Sequence, residues 1–528
     1  MSERRLDQVL DLFIIGGGVN GCGIARDAAG RGVRVGLAEM CDLASATSSA
    51  STKLFHGGLR YLEFLKFRLV RESLAEREVL LRAMPHIARP MRFVLPLDPE
   101  MRFASGTPVS WLLGLTMPWL RGRRPAWVIR LALFLYDHLG GREILPATAA
   151  LDLGRDEAGG PLKPELKRAY EYSDVSVDDA RLVLLNARDA QKRGAEILTR
   201  TKVETAVRED GLWRIELRDV ESGKTLTRHA RCLVNAAGPW AGQVTHDVVG
   251  GETGEAVRLV RGSHIILPRL FTHERAYFFQ GPDGRIVFAI PYERDFTLIG
   301  TTDEAHDAPD KAPVCTDEEA EYLLEFAGRY FKAPMKMEDI VHRYSGVRPL
   351  YDDGASSATA ATRDYVLTLD AEGAPLLNVF GGKITTYRKL AEAALGRLTP
   401  LLPMGQDWTE GVALPGGDFP VGGTADLVAS LRVEFPFLTM AWAERLVRAY
   451  GTETRDVLGD AHETADLGRD FGATLTEAEL RWMVGQEFAQ SAEDVLWRRS
   501  KLGLHMSAAQ IADVEAWIEE SRLARAGK

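Results

Sequence analysis

An apolar run from Val9 to Ile15, interrupted only by Asp11, leads into glycines and then into a stretch whose small residues Cys22, Ala25, Ala28 and Ala29 recur at helical spacing. The pattern predicts a buried strand, a tight turn and a helix that packs closely on a sheet, ended by Gly30 and Gly32. Val33 to Ala38 then reads as a second strand. A helix of mixed apolar and basic positions is expected from about Tyr61 to Met84. Strand signals return between 160 and 240, with Asp210-Gly211 turning a hairpin between Val203 to Arg208 and Leu212 to Leu217, and Arg231 to Ala237 as a buried strand. Short strands at Ile265 to Leu267, Ile286 to Ile290 and Thr297 to Ile299 imply an antiparallel sheet. Beyond the Pro/Gly-rich stretch Leu414 to Gly423 the texture becomes helical, and Thr476 with Glu479 and Ser491 with Asp494 resemble capping boxes.

The fold class is therefore α/β: a Rossmann-like domain interleaved with an antiparallel β-rich domain, followed by a helical C-terminal domain. Gly16-Gly17-Gly18-Val19-Asn20-Gly21 fits G-x-G-x-x-G between strand and helix. Gly16 allows the tight turn, Gly18 lets backbone approach a pyrophosphate at the helix N-terminus, and Gly21 lets helix and strand close up. Glu39 follows the second strand, about 20 residues on, where a ribose-hydroxyl acceptor belongs. Both FAD and NAD use this arrangement, and its position at the start of the sequence favours FAD.

A formal net charge of −10 argues against a nucleic-acid binder, so an anionic ligand must be met by placed cations. The four cysteines, Cys22, Cys41, Cys232 and Cys315, form no CxxC pair, so no metal site or disulfide framework is expected. The first residues lack a signal peptide's apolar stretch, and a cytoplasmic location is expected. Trp111 to Leu120, broken by Thr116 and Pro118 and followed by Arg121, Arg123 and Arg124, falls short of the roughly 20 residues a spanning helix needs. Such a segment can dip into a bilayer without crossing it.

The run Thr47-Ser48-Ser49-Ala50-Ser51-Thr52-Lys53-Leu54-Phe55-His56-Gly57-Gly58-Leu59-Arg60-Tyr61 resembles the aerobic, FAD-dependent glycerol-3-phosphate dehydrogenase family, among the amino-acid-oxidase-like flavoproteins. The resemblance continues through Tyr172-Ser173-Asp174, Val234 to Trp240, Gly262-Ser263-His264, Ile299 to Asp303, Tyr344 to Pro349, Thr362 to Tyr365 and Phe380 to Tyr387. Residues 100 to 122 are a departure, longer than the family's usual connection.

The resemblance implies FAD as cofactor, glycerol 3-phosphate as substrate, ubiquinone or menaquinone as electron acceptor, and peripheral attachment to the inner face of the cell membrane. A homodimer is left open. It implies a phosphate clamp of Arg60, Arg363 and Lys383 with Tyr61 nearby, and Arg348 closer to the reacting carbon. His56 is the candidate base, since an imidazole of ordinary pKa, about 6.5, supplies a neutral acceptor near neutrality; a histidine in a turn also serves as a structural hydrogen-bonder. Ser48, Ser49, Ser51 and Lys53 are candidate donors to the cofactor or, equally, turn formers, and Gly238, Gly381, Gly382 and Thr385 are expected to bring backbone to it. Asp303 and His264 are taken as loop or core structure. The expected lipid patch comprises Leu62 to Arg71 and Trp111 to Tyr136.

The expected segments are 1–100, 166–250 and 341–398 for the FAD-binding domain, 101–165 for an insertion with membrane contact, 251–340 for the substrate-binding domain and 399–528 for the C-terminal domain. Two competing readings are a glycerol-3-phosphate oxidase using molecular oxygen and a non-catalytic flavin-binding protein.

Overall fold

A computed structural model describes residues 9–98, 101–102, 107–116, 124–251, 257–281, 284–351 and 364–526. The strand Leu10–Ile15 lies inside an eight-stranded sheet, parallel to Val35–Ala38 on one side and Thr225–Asn235 on the other. Its residues alternate between two cores. Leu12 and Ile14 pack with the helix layer, while Phe13 and Ile15 pack with Trp213, Ile215 and Leu217 of the hairpin strand Leu212–Asp219. A strand buried on both faces needs apolar residues throughout, which explains its near-continuous pattern. Helix Val19–Gly30 lies against Asp179–Lys192 and Tyr387–Leu398. A Cβ on Gly23 would stand 2.7 Å from the Tyr387 ring, so the small residues set this close approach.

Leu376–Gly381 joins the same sheet, parallel to Thr225–Asn235, so three parallel strands end together just before Gly16, Gly238 and Gly382. Ligands of open parallel sheets bind at this carboxyl edge. The second sheet has ten strands, mostly antiparallel, and a helix, Asp317–Gly328, packs against it. The α/β class, the interleaving and the helical C-terminal domain are all observed. The sheets nevertheless cross the expected segment boundaries, because Ala88–Pro96, Arg168–Val177 and His342–Tyr351 pair into the second sheet. Strand partners this distant in sequence leave no local signal.

The hairpin turns at Asp210-Gly211, both at positive φ, between Thr201–Glu209 and Leu212–Asp219. The helix expected from Tyr61 to Met84 is instead two elements, a 3-10 helix Leu59–Phe64 and an α-helix Phe67–Ala83, with Leu65 left-handed at φ 56°. Lys66 N–H returns to the Tyr61 carbonyl at 3.1 Å, and buried Glu63 pairs with Arg124. With the break, Glu63 faces inward to Arg124 while Arg60 and Tyr61 line the central cavity.

The C-terminal helices enclose their own core, which includes Leu431, Ala443, Leu446, Leu480 and Val495. Ser491 and Asp494 form the expected reciprocal capping bonds. Thr476 and Glu479 do not: the Glu479 carboxylate accepts from Arg445 and Tyr450, and a charged guanidinium outcompetes a backbone amide for it.

Pro108–Thr116 and Ala126–Leu139 are helices, and their outer surfaces expose Trp111 (68%), Leu115 (63%), Trp127 (50%), Leu131 (51%) and Phe134 (51%). Exposed Leu65 and Phe67 add to the apolar surface. The patch is narrower than the sequence implied: Leu62, Ile129, Leu133 and Tyr136 are buried in the core beneath it, and Leu69 is buried as well. Arg124 is turned inward as the partner of Glu63 and Gln280, whereas residues 117–123 lie outside the described residues. No described helix is long and apolar enough to cross a membrane.

Candidate active site

A cavity of about 860 Å³ opens at the carboxyl edge of the first sheet and runs to the second. Gly16 and Gly18 border it where helix Val19–Gly30 begins. Gly16 has φ +111°, and a Cβ there would sit 2.6 Å from the Ala236 carbonyl oxygen. Gly21 faces away from the cavity; a Cβ on it would lie 1.9 Å from the Gly16 carbonyl oxygen, so it sets the contact between turn and helix. The helix N-terminus thus presents N–H groups that no helical carbonyl can take.

Glu39 accepts from Gly17 N–H at 2.7 Å and Cys41 N–H at 2.9 Å. Burial pushes its carboxyl pKa up. A carboxylate has about four lone-pair sites, so capacity remains for a ribose hydroxyl. Asn20 lines the cavity with its Nδ2 on the Gly381 carbonyl, while its buried Oδ1 has no donor among the described residues. An open helix N-terminus, an acid at the second strand and an orphaned buried acceptor fit an adenine dinucleotide with its pyrophosphate over the glycines.

Ser48, Ser51, Gly238, Gly381, Gly382 and Thr385 also line this cavity. Ser48 Oγ accepts from Val19 N–H at 3.0 Å, which leaves its own proton to donate. Ser51 is committed to Asp179 through both N–H and Oγ. Ser49 and Lys53 do not border the cavity and instead line a smaller neighbouring one. Lys53 Nζ is held by Asp179 at 2.8 Å and by the Ser49 carbonyl, and it lies over the Tyr344 ring. Burial disfavours a lone ammonium, so Lys53 turns to its carboxylate rather than to the cavity.

The cavity is also lined by His56, Arg60, Tyr61, Arg348 and Lys383. Lys383 Nζ stands 4.1 Å from the Tyr61 ring centroid. Arg348, opposite Val260 in the second sheet, donates through Nη1 to Asp303 and through Nη2 to Thr301 Oγ1 at 2.9 Å. Asp303, expected to be core or loop structure, lines the cavity beside that guanidinium. Its motif was visible in the sequence, but its partner lies 45 residues away. Arg363 lies outside the described residues. His264 is core, as expected: it meets Thr52 at 3.0 Å and stacks on Tyr344, and burial holds its pKa well below the usual imidazole range.

The turn carrying His56 is fastened on two sides. His56 N–H donates to Thr385 Oγ1 at 3.3 Å, and Gly57 N–H donates to Tyr136 Oη at 2.7 Å. Tyr136 donates to Asp174, whose charge is balanced by buried Arg77. Sequence reasoning missed Tyr136 and Arg77; nothing local marks a tyrosine on an apolar helix as the support of a turn 79 residues earlier.

The family model described as "FAD dependent oxidoreductase" matches residues 11–388, and that of the "C-terminal domain of alpha-glycerophosphate oxidase" matches 408–519. The chain is 49% identical to D-erythritol 1-phosphate dehydrogenase of Brucella abortus (strain 2308), over 98% of this chain and 99% of that one. It is also 49% identical to the aerobic glycerol-3-phosphate dehydrogenase of Escherichia coli (strain K12), over 97% of each. Among solved structures, the glycerol-3-phosphate dehydrogenase of Bacillus halodurans complexed with FAD superposes with a TM-score of 0.72 at 25% identity, covering 97% of this chain and 94% of that one. Its cavity and these matches agree: the chain belongs to the FAD-dependent oxidoreductase family, and its cofactor is FAD.

Proposed function

We propose that the protein oxidises the C2 alcohol of sn-glycerol 3-phosphate to dihydroxyacetone phosphate and delivers the electrons to membrane quinone. The observation that carries this reading is one cavity that joins the dinucleotide turn to His56, Arg60, Tyr61, Arg348 and Lys383, in a chain of net charge −10. Bound FAD supplies the acceptor for the hydride that leaves C2. Arg60 and Lys383 hold the phosphate, and the family resemblance adds Arg363 to them, since a dianion needs fixed cations. Arg348, steadied by Asp303 and Thr301, orients the hydroxyls, and an imidazole nitrogen of His56 takes the C2 hydroxyl proton.

The test is anaerobic titration of the purified protein while flavin absorbance is followed. Glycerol 3-phosphate bleaches the flavin and unphosphorylated glycerol does not; an unchanged spectrum removes the proposal. A second reading, D-erythritol 1-phosphate as substrate, is supported by the Brucella abortus relative at equal identity, and faster bleaching by that compound would replace the first. Slow recovery in air without peroxide fits a quinone-linked enzyme, whereas rapid recovery with peroxide marks an oxidase.

The exposed residues Trp111, Leu115, Trp127, Leu131 and Phe134 support attachment to the inner face of the cell membrane, where quinone is met. Replacing Trp127, Leu131 and Phe134 together by serine is expected to lower partition onto phospholipid vesicles about tenfold or more while flavin reduction is kept. Equal partition of variant and parent would move the contact elsewhere.

A further inference from the structure

The loop from Asp42 to Lys53 supplies Ala44 to Ser48 and Ala50 to Thr52 to the wall of the FAD cavity, and a 3-10 turn, Thr47–Ser49, is its regular structure. Such a segment is ordered only if something holds it. Its middle is tied to the glycine turn: Ala44 N–H donates to the Gly17 carbonyl at 3.1 Å, and Ser48 Oγ receives Val19 N–H. Its two ends lead to one place, the segment from Asp494 to Lys501 of the C-terminal domain.

At the first end, Asp42 is 2% exposed, and its carboxylate accepts from Arg499 Nη1 at 2.5 Å, Arg499 Nη2 at 2.8 Å and Arg498 Nε at 2.6 Å. Arg498 also holds Asp494 at 2.5 Å and Glu493 at 2.7 Å. Asp494 in turn accepts from Arg200, whose N–H donates to the Cys41 carbonyl beside Asp42. At the other end, Lys53 and Ser51 are fixed on Asp179, and the preceding residue Asp178 is paired with Lys501. Arg498, Arg499 and Lys501 therefore bracket the loop from outside, pairing with its one acid, Asp42, and with Asp178 beside the Asp179 that holds Lys53. Asp42 lies three residues beyond Glu39, so movement at this end disturbs the acid that faces the cavity.

We propose that this C-terminal segment is a clasp whose role is to retain FAD, with Arg498, Arg499 and Lys501 as positioning residues for the cofactor loop. The inference rests on FAD occupying the cavity and is independent of which alcohol is oxidised. It assigns the C-terminal domain a part in cofactor binding although none of its described residues borders the cavity.

The test uses the full-length protein with Asp42→Asn and Arg499→Met combined, which removes both charges together and leaves no unpaired buried ion. FAD is stripped and added back while flavin fluorescence reports the dissociation constant, with the parent protein titrated alongside so that a failure of FAD binding as such is seen separately. The expected result is an FAD dissociation constant raised about tenfold or more, with the rate of flavin reduction restored within about twofold by excess FAD. A control pair deep in the same domain, Arg445→Met with Glu479→Gln, is expected to lower the thermal midpoint and leave FAD affinity unchanged. If the Asp42/Arg499 variant behaves like this control, the network only glues domains and the clasp is overturned. If that variant does not fold, Lys501→Met loosens the other end of the loop: weakened FAD binding sustains the proposal, and unchanged affinity in the folded variant ends it.

Discussion

Gly21→Ala yields a protein that purifies without flavin. The added Cβ would lie 1.9 Å from the Gly16 carbonyl oxygen and 3.1 Å from its carbonyl carbon, both backbone atoms that cannot swing aside as a side chain can. Relief requires helix Val19–Gly30 to back away from the strand end or the turn at Gly16 to open. Gly16 cannot yield far, because its own Cβ position is occupied by the Ala236 carbonyl and its φ of +111° suits glycine alone. Either movement takes the helix N-terminus out of register with the pyrophosphate. Because that register must hold within about 0.5 Å, FAD affinity is expected to fall by about three orders of magnitude or more. The measurement is the ratio of flavin to protein absorbance after purification and after reconstitution. Gly32→Ala is the control: its φ of +81° strains an alanine backbone, a burden that Gly21 within its helix does not carry, but nothing lies within 4 Å of the new Cβ, and the protein stays yellow. A fully flavinylated Gly21→Ala protein would show that the turn does not carry the cofactor.

His56→Ala is expected to slow anaerobic flavin reduction at saturating substrate by about 10²- to 10⁴-fold, the usual contribution of a positioned proton acceptor. Substrate affinity should change little, because Arg60 and Lys383 are left in place. The separation follows from the architecture: His56 is held through its backbone by Thr385, and its neighbour Gly57 by Tyr136, so truncating the imidazole does not release the turn. Stopped-flow reduction rates against substrate concentration divide the two effects. An unaltered limiting rate removes His56 as the base and turns attention to Asp303, the carboxylate beside Arg348 in the same cavity. A raised half-saturation concentration with an unaltered limiting rate would make His56 a binding residue instead.

The particular elements that could be read in advance share one property. The strand Leu10–Ile15, the glycines after it, the helix Val19–Gly30 and the strand Val35–Ala38 are marked by a pattern within about 30 residues, as is the Asp210-Gly211 hairpin. Candidate site residues were legible where a motif held them together: His56, Arg60 and Tyr61 reach the cavity along one turn, and Gly381, Gly382, Lys383 and Thr385 along another. The break at Leu65 was not legible, because the pairing of buried Glu63 that goes with it is with Arg124, 61 positions later. Nor were Tyr136 and Asp303, whose partners Gly57 and Arg348 come from other elements.

By itself the sequence determined the dinucleotide turn, the two kinds of sheet and the helical nature of the last domain, since hydrophobic period and glycine placement are properties of neighbouring residues. Tertiary structure alone decided which way the charged side chains face. Lys53 and Lys383 each sit in a run of small and hydroxyl residues, yet Lys53 is buried on Asp179, 126 residues away, while Lys383 lines the cavity against Tyr61. A buried ammonium goes to its nearest carboxylate or ring, and only the folded chain sets which one that is.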